Sequence, residues 1–117
     1  MTSQLLNFHQ LWGRLVQEPR AVETQGGHRL LRFSLVYHTL RAADSEGSHA
    51  NFIEVEVWGK LAEKYQPLLK KGLQIVVTGE LVQRRWQAAD GRKREKYILV
   101  AHALRITDRA HRTVMAA

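Results

Sequence analysis

The residues of this chain best suited to chemistry are aromatic rings set among charges. In the run Asn51-Phe52-Ile53-Glu54-Val55-Glu56-Val57-Trp58-Gly59, the uninterrupted apolar set is Ile53, Val55 and Val57, which must face a core. The two-residue period of a strand then puts Phe52, Glu54, Glu56 and Trp58 on the opposite side, where solvent is expected. Trp86 obeys the same rule. It shares parity with Gln74, Thr78, Glu80 and Arg84, opposite the apolar Leu73, Ile75, Val77 and Leu81. Around it, from Arg84 to Lys96, six cations (Arg84, Arg85, Arg92, Lys93, Arg94, Lys96) meet two anions (Asp90, Glu95). Exposed rings interleaved with cations suit a single-stranded nucleic acid, because bases stack on the rings while Lys and Arg follow the phosphates; each stacked base contributes about 1–3 kcal/mol. The plainer alternative is rings packed under a loop or in a subunit interface, beside a basic hairpin that is only a solvated arm. Trp12 is also outward by parity, and structure or interface is the reading favoured for it.

Other chemistries lack their residues. There is no cysteine, which removes thiol catalysis, disulfides and Cys-based zinc sites together. His9, His28, His38, His49, His102 and His111 are scattered, without the spacing of a helical metal pair. His102 falls on an apolar face by alternation and reads as a satisfied or interface histidine. Glu54 and Glu56 share one face, but with no sign of a cleft they read as surface charge. No phosphate-cradling glycine loop and no nucleophile elbow occur. A non-catalytic protein with no cofactor and no metal is the expectation.

The whole chain agrees with a polyanionic partner. Eighteen Lys and Arg against eleven Asp and Glu give a formal charge of +7 over 117 residues, enough for one domain. No apolar run approaches the roughly 18 residues of a membrane span. The start, MTSQLLNFHQ, lacks the pattern of a signal peptide, so a cytoplasmic location is expected.

The elements that must position these residues follow from periodicity. Residues 5–17 read as a strand with Leu11, Gly13 and Leu15 on one face and Trp12 and Arg14 on the other. Pro19 and Gly26-Gly27 make residues 18–27 a turn or loop. Residues 28–38 form a second strand, burying Leu31, Phe33 and Leu35, and residues 39–50 a polar loop. After the third strand, residues 51–59, the sequence LAEKYQPLLKKG has helical spacing; Gly72 is its stop, and Pro67 forces a break or a short second turn. Residues 73–86 form a fourth strand, and Asp90-Gly91 closes a hairpin. The last strand, residues 93–106, buries Ile98, Val100, His102, Leu104 and Ile106 by alternation. Residues 108–117 are expected to be a short flexible tail, leaving 1–107 as the domain. One helix cannot cover an open five-stranded sheet. The expected fold is therefore all-β with one short helix: a five-stranded OB-fold barrel, the helix lying between strands three and four.

Several segments also resemble the bacterial single-stranded DNA-binding proteins. They are Phe52-Ile53-x-Val55-x-Val57-Trp58-Gly59-Lys60-Leu61-Ala62-Glu63, Leu69-Lys70-Lys71-Gly72, Val77-x-Gly79-x-Leu81, Arg84-Arg85-Trp86 and Asp90-Gly91. Gly13-Arg14-Leu15 with Pro19, and Arg32-Phe33-Ser34-Leu35, fit that family's first two strands, so the likeness covers roughly residues 5–107. The resemblance implies a homotetramer of OB-folds, rather than a dimer, that coats single-stranded DNA with little sequence preference in replication, recombination or repair. It puts the stacking rings on Phe52, Trp58 and Trp86. Tyr37, the one aromatic of the region after the second strand, stands with Arg41 as a further candidate, and Lys60, Arg84, Arg85, Arg92, Lys93 and Arg94 stand as phosphate contacts. The family usually ends in an acidic tip that recruits replication and repair enzymes; no acid lies beyond Asp108 here, so recruitment by that route is not carried over. A nucleoid-associated, bacterial location follows from the same likeness. Two other readings stay open: a primosomal-replication OB adaptor acting in replication restart, and an OB module whose aromatic face binds protein. RNA also stays open as the strand, because stacking and phosphate contacts do not read the 2′-OH. Glu54 and Glu56 are expected to weaken phosphate attraction unless nearby arginines pair with them.

Overall fold

A computed structural model describes residues 6–39 and 49–107. Its elements are β1 (His9–Leu15), β2 (Arg20–Glu23), β3 (Arg29–Thr39), β4 (His49–Trp58), α1 (Gly59–Tyr65), β5 (Gln74–Gln87) and β6 (Lys93–Ile106). The strands follow the order β1-β5-β6-β4-β3-β2, and β1 also pairs with β3 through Arg14↔Val36 and Leu15↔Leu35. That last pairing closes a ring of five strands, β1-β5-β6-β4-β3, and removes the sheet edges an open arrangement would leave. All pairings are antiparallel except β4–β6, which is parallel across Glu54↔Ile98 to Glu56↔Val100.

Alternation sets the interior as the apolar pattern requires. Leu15, Leu31, Phe33, Leu35, Val55, Val57, Ile75 and Val77 are all buried, and Leu99, Ala101 and Leu104 join them from β6. α1 brings Ala62 to the same core, and the Tyr65 hydroxyl donates to the Leu104 carbonyl at 2.7 Å, seating the helix against the last strand.

Two expectations change and one is met. Residues 18–27 are not all turn: Arg20–Glu23 form β2, whose Val22 lies opposite Leu30 at the end of β3. The break expected at Pro67 is present: the helix ends at Tyr65, because Pro67 has no N–H to continue it. Leu68 and Leu69 N–H groups both donate to the Tyr65 carbonyl, at 2.9 and 3.0 Å, giving the short second turn that buries Leu69. The second change is in β6. Thr78 pairs with Ala103 but Gly79 with Ala101, so His102 is an extra residue in a β-bulge. The bulge reverses the parity before it, so Leu99 and Ala101 take the core positions, Val100 is half-buried and His102 points out. There its Nε2 lies 3.2 Å from Glu80 Oε2 instead of on an apolar face.

Gly79 sits at this bulge for lack of room: a Cβ there would lie 2.0 Å from the Val100 carbonyl oxygen. At the far end of β5–β6 the hairpin closes as Asp90-Gly91 predicts, with Gly91 at φ +85° and the Asp90 carboxylate accepting the Arg92 N–H at 3.0 Å. Of the loop at 39–50, Thr39, His49 and Ala50 belong to strands. The remainder of that loop, with Arg41, and the tail 108–117 lie outside the described residues.

Candidate nucleic-acid interface

The outer faces of β3, β4, β6 and β5 form one continuous surface, because the register carries parity from strand to strand. Cα partners on this surface run Ser34–Glu54–Ile98–Val82 and Arg32–Glu56–Val100–Glu80. Val36 lies opposite Phe52 and Leu30 opposite Trp58; Arg84 lies opposite Lys96, and Trp86 opposite Arg94. The structure therefore brings Phe52, Trp58, Arg84, Trp86 and Arg94 to one side. The rings are accessible: Phe52 is 64% exposed, Trp86 46% and Trp58 36%. Beneath them Leu30 and Ile98 are buried, an apolar floor under a polar roof.

The charges of this surface are paired in a lattice. Arg84 donates to Glu56 Oε1 at 2.7 Å, and the Trp58 indole N–H donates to the same oxygen at 3.1 Å. Arg32 donates to Glu56 Oε2 at 3.5 Å, and its Nε lies 3.0 Å from Glu54 Oε2 as an ion pair not aligned for a hydrogen bond. Lys96 donates to Glu54 Oε1 at 2.6 Å and stands 5.7 Å from the Trp86 ring centre, a cation–π distance. Glu56 is consequently not the solvated charge its parity suggests. It is 1% exposed, because Arg32, Arg84 and Trp58 close over it. A buried carboxylate is tolerated only with such partners.

The remaining candidates are placed elsewhere. Arg85 and Lys93 project from the opposite face of the β5–β6 hairpin; Arg85 lies 3.9 Å from Glu95 Oε1, and the exposed Tyr97 shares that side. Arg92 is exposed at the hairpin turn, and Arg94 lies 3.7 Å from Asp90 Oδ2. Lys60 is exposed in the first turn of α1, two residues beyond Trp58. Tyr37 is half-buried with the parity of Phe33 and Leu35, opposite that of Val36 and Phe52. It lines a hollow with Trp12, Arg14, Val36, His38 and Gln74. Trp12 is outward as parity predicts, 62% exposed, and its indole N–H donates to Thr107 Oγ1 at 2.7 Å.

Two cations that are not among the expected phosphate contacts, Arg32 and Lys96, complete the ringed face. The parity of Arg32 was available in the sequence, that of Lys96 is reversed by the bulge, and the neighbours of both across the sheet depend on register between strands far apart in the chain. Among the described residues no group of three or more His, Cys, Asp or Glu could hold a metal ion, and no helix is long and apolar enough to cross a membrane. What the surface offers chemically is ring faces and guanidinium donors.

Comparison with known proteins bears on the family and the fold. The model of the single-strand binding protein family matches residues 6–107. A single-stranded DNA-binding protein of Thermotoga maritima is 32% identical over 101 residues, covering 85% of this chain and 72% of the relative. Single-stranded DNA-binding protein 1 of Clostridium acetobutylicum is 38% identical over 90 residues, 75% of this chain and 79% of the relative. The corresponding protein of Treponema pallidum is 35% identical, and the chain spans about half its length, 52%. Among solved structures, a Plasmodium falciparum SSB complex with ssDNA superposes with a TM-score of 0.80 at 24% identity, covering 92% of this chain and all of that one, which establishes the shared fold.

Proposed function

This chain belongs to the single-strand binding protein family, and from that premise we propose that it binds and coats single-stranded DNA, largely without regard to sequence and without catalysis. The observation that carries this reading is the single face that holds Phe52, Trp58 and Trp86 exposed beside Arg84, Arg94 and the paired Arg32 and Lys96. Rings present flat surfaces that any base can stack on, and cations between them meet the phosphates that separate successive bases. Arg85, Arg92 and Lys93 lie on the back and tip of the same hairpin, where a strand that leaves Trp86 and wraps around the tip would meet them; Lys60 extends the track beyond Trp58.

Replication, recombination and repair are the settings in which such strands are exposed, and they are the proposed settings for this protein. The proposed assembly is a homo-oligomer, tetrameric by family likeness, and the exposed Trp12 on β1 is the feature of this chain that suits a subunit contact.

Tryptophan fluorescence titrated with oligo-dT at two salt concentrations tests the reading. The expected result is quenching with affinity that falls as salt rises, log affinity against log salt having a slope of about −0.7 for each phosphate neutralised. Absence of binding at low salt would overturn strand coating and leave a protein-binding OB module as the better account.

A further inference from the structure

Resting on that strand-binding reading, we propose that Glu54 and Glu56 are positioning residues of the binding face: from below, they hold Arg32, Arg84, Lys96 and the Trp58 ring in one arrangement that a strand meets already formed. Simple Coulomb reasoning says otherwise, since two carboxylates on a phosphate-binding surface repel phosphate. The geometry opposes that view. The carboxylate side chains are 19% exposed for Glu54 and 2% for Glu56, whereas Arg32, Arg84 and Lys96 are 41%, 42% and 45% exposed. The acids form the lower layer and the cations the upper one, so an approaching phosphate meets guanidinium and ammonium groups first.

Each pairing leaves the cation able to bind again. A guanidinium has five N–H donors, and Arg84 uses an Nη2 donor on Glu56, leaving the others for a phosphate. Long side chains normally lose rotamer freedom when they grip a ligand; here that loss has already occurred in the free protein. The rings are held by the same acids. Glu56 Oε1 accepts the Trp58 N–H, which sets the plane of that indole. Glu54 holds Lys96, which sits over the Trp86 ring. Trp58, Glu56, Arg32, Glu54, Lys96 and Trp86 thus form an unbroken series joining the two tryptophans, and the three cations still exceed the two acids by one charge.

The test compares the unmodified full chain with Glu54→Gln, Glu56→Gln and Glu56→Asp, using labelled oligo-dT and a series of salt concentrations. Positioning predicts that both glutamine variants bind more weakly, by about 2–13-fold for each side chain that must be ordered anew. It also predicts that Glu56→Asp, which keeps the charge, recovers part of the loss. Repulsion predicts the reverse: tighter binding and a steeper salt slope in both glutamine variants, and that result would overturn the inference, as would unchanged affinity. Glu56 is buried, so its substitution can disturb folding, which circular dichroism and thermal melting would reveal. Glu54 is less deeply buried, at 19% side-chain exposure, and its variant then decides alone. Failure of the unmodified chain to bind would instead refute strand coating, and the inference with it.

Discussion

Removing the Trp86 ring is expected to separate the fold of this protein from its binding activity. Trp86 lies near the end of β5, 46% exposed and outside the buried core cluster, so Trp86→Ala opens no cavity among packed side chains. The contact it loses in the free protein is the Lys96 ammonium 5.7 Å from the ring centre. At an exposed site such a contact is worth about 0.5–1 kcal/mol. For a domain of about 100 residues, a loss of that size lowers the melting temperature by no more than roughly 8 °C. Binding is affected far more. One stacked base contributes about 1–3 kcal/mol, so affinity for oligo-dT is expected to fall about 5–150-fold. The assay is fluorescence anisotropy of a labelled oligonucleotide, since the variant also loses a tryptophan reporter. The salt slope is expected to stay unchanged, because the ring neutralises no phosphate. A folded variant that binds within about twofold of the unmodified chain would refute stacking on Trp86. A flattened salt slope would show that the ring serves only to place Lys96.

The two arginines before Trp86 test which face of the hairpin the strand follows. Arg84→Ala is expected to weaken binding and flatten the salt slope by about 0.7, whereas Arg85→Ala, on the opposite face, is expected to change it less; a larger effect of Arg85→Ala would refute placing the strand chiefly on the ringed face. Gly79→Ala tests the bulge. The added Cβ meets the Val100 carbonyl, which is backbone and cannot rotate away, so a loss of about 1–3 kcal/mol and a melting point at least roughly 4 °C lower are expected. An unaltered melt would show that the strand crossing at Gly79 is looser than the structure has it.

Much of this was legible before any coordinates. Val55 and Val57 inward, Phe52 and Trp58 outward, and Trp86 beside Arg84 all follow from a period of two, because a pleated strand has only two sides. The Asp90-Gly91 turn and the end of the helix before Pro67 were equally local, each set by the backbone freedom of one or two residues. Alternation failed at His102, because a bulge is a mismatch in length between two paired strands and leaves no mark in either strand alone. Similarly, β2 has only four residues, with Val22 its one half-buried side chain, too short to show a period; its partner β3 supplies the ladder that makes it a strand.

The binding face divides along the same line. The sequence determined which rings and charges of β3, β4 and β5 point outward, since that depends only on each strand's own alternation, but in β6 the bulge reverses the alternation and with it the side that Arg94 and Lys96 take. It could not determine that Glu56 is buried beneath Arg32 and Arg84, whose positions lie 24 and 28 residues away, or that Lys96, 42 residues on, reaches Glu54. Those neighbours exist only once β3, β4, β5 and β6 lie side by side in register. Charge pairing across a closed sheet is a property of tertiary structure, and it turned two acids from apparent obstacles into the layer beneath the cations.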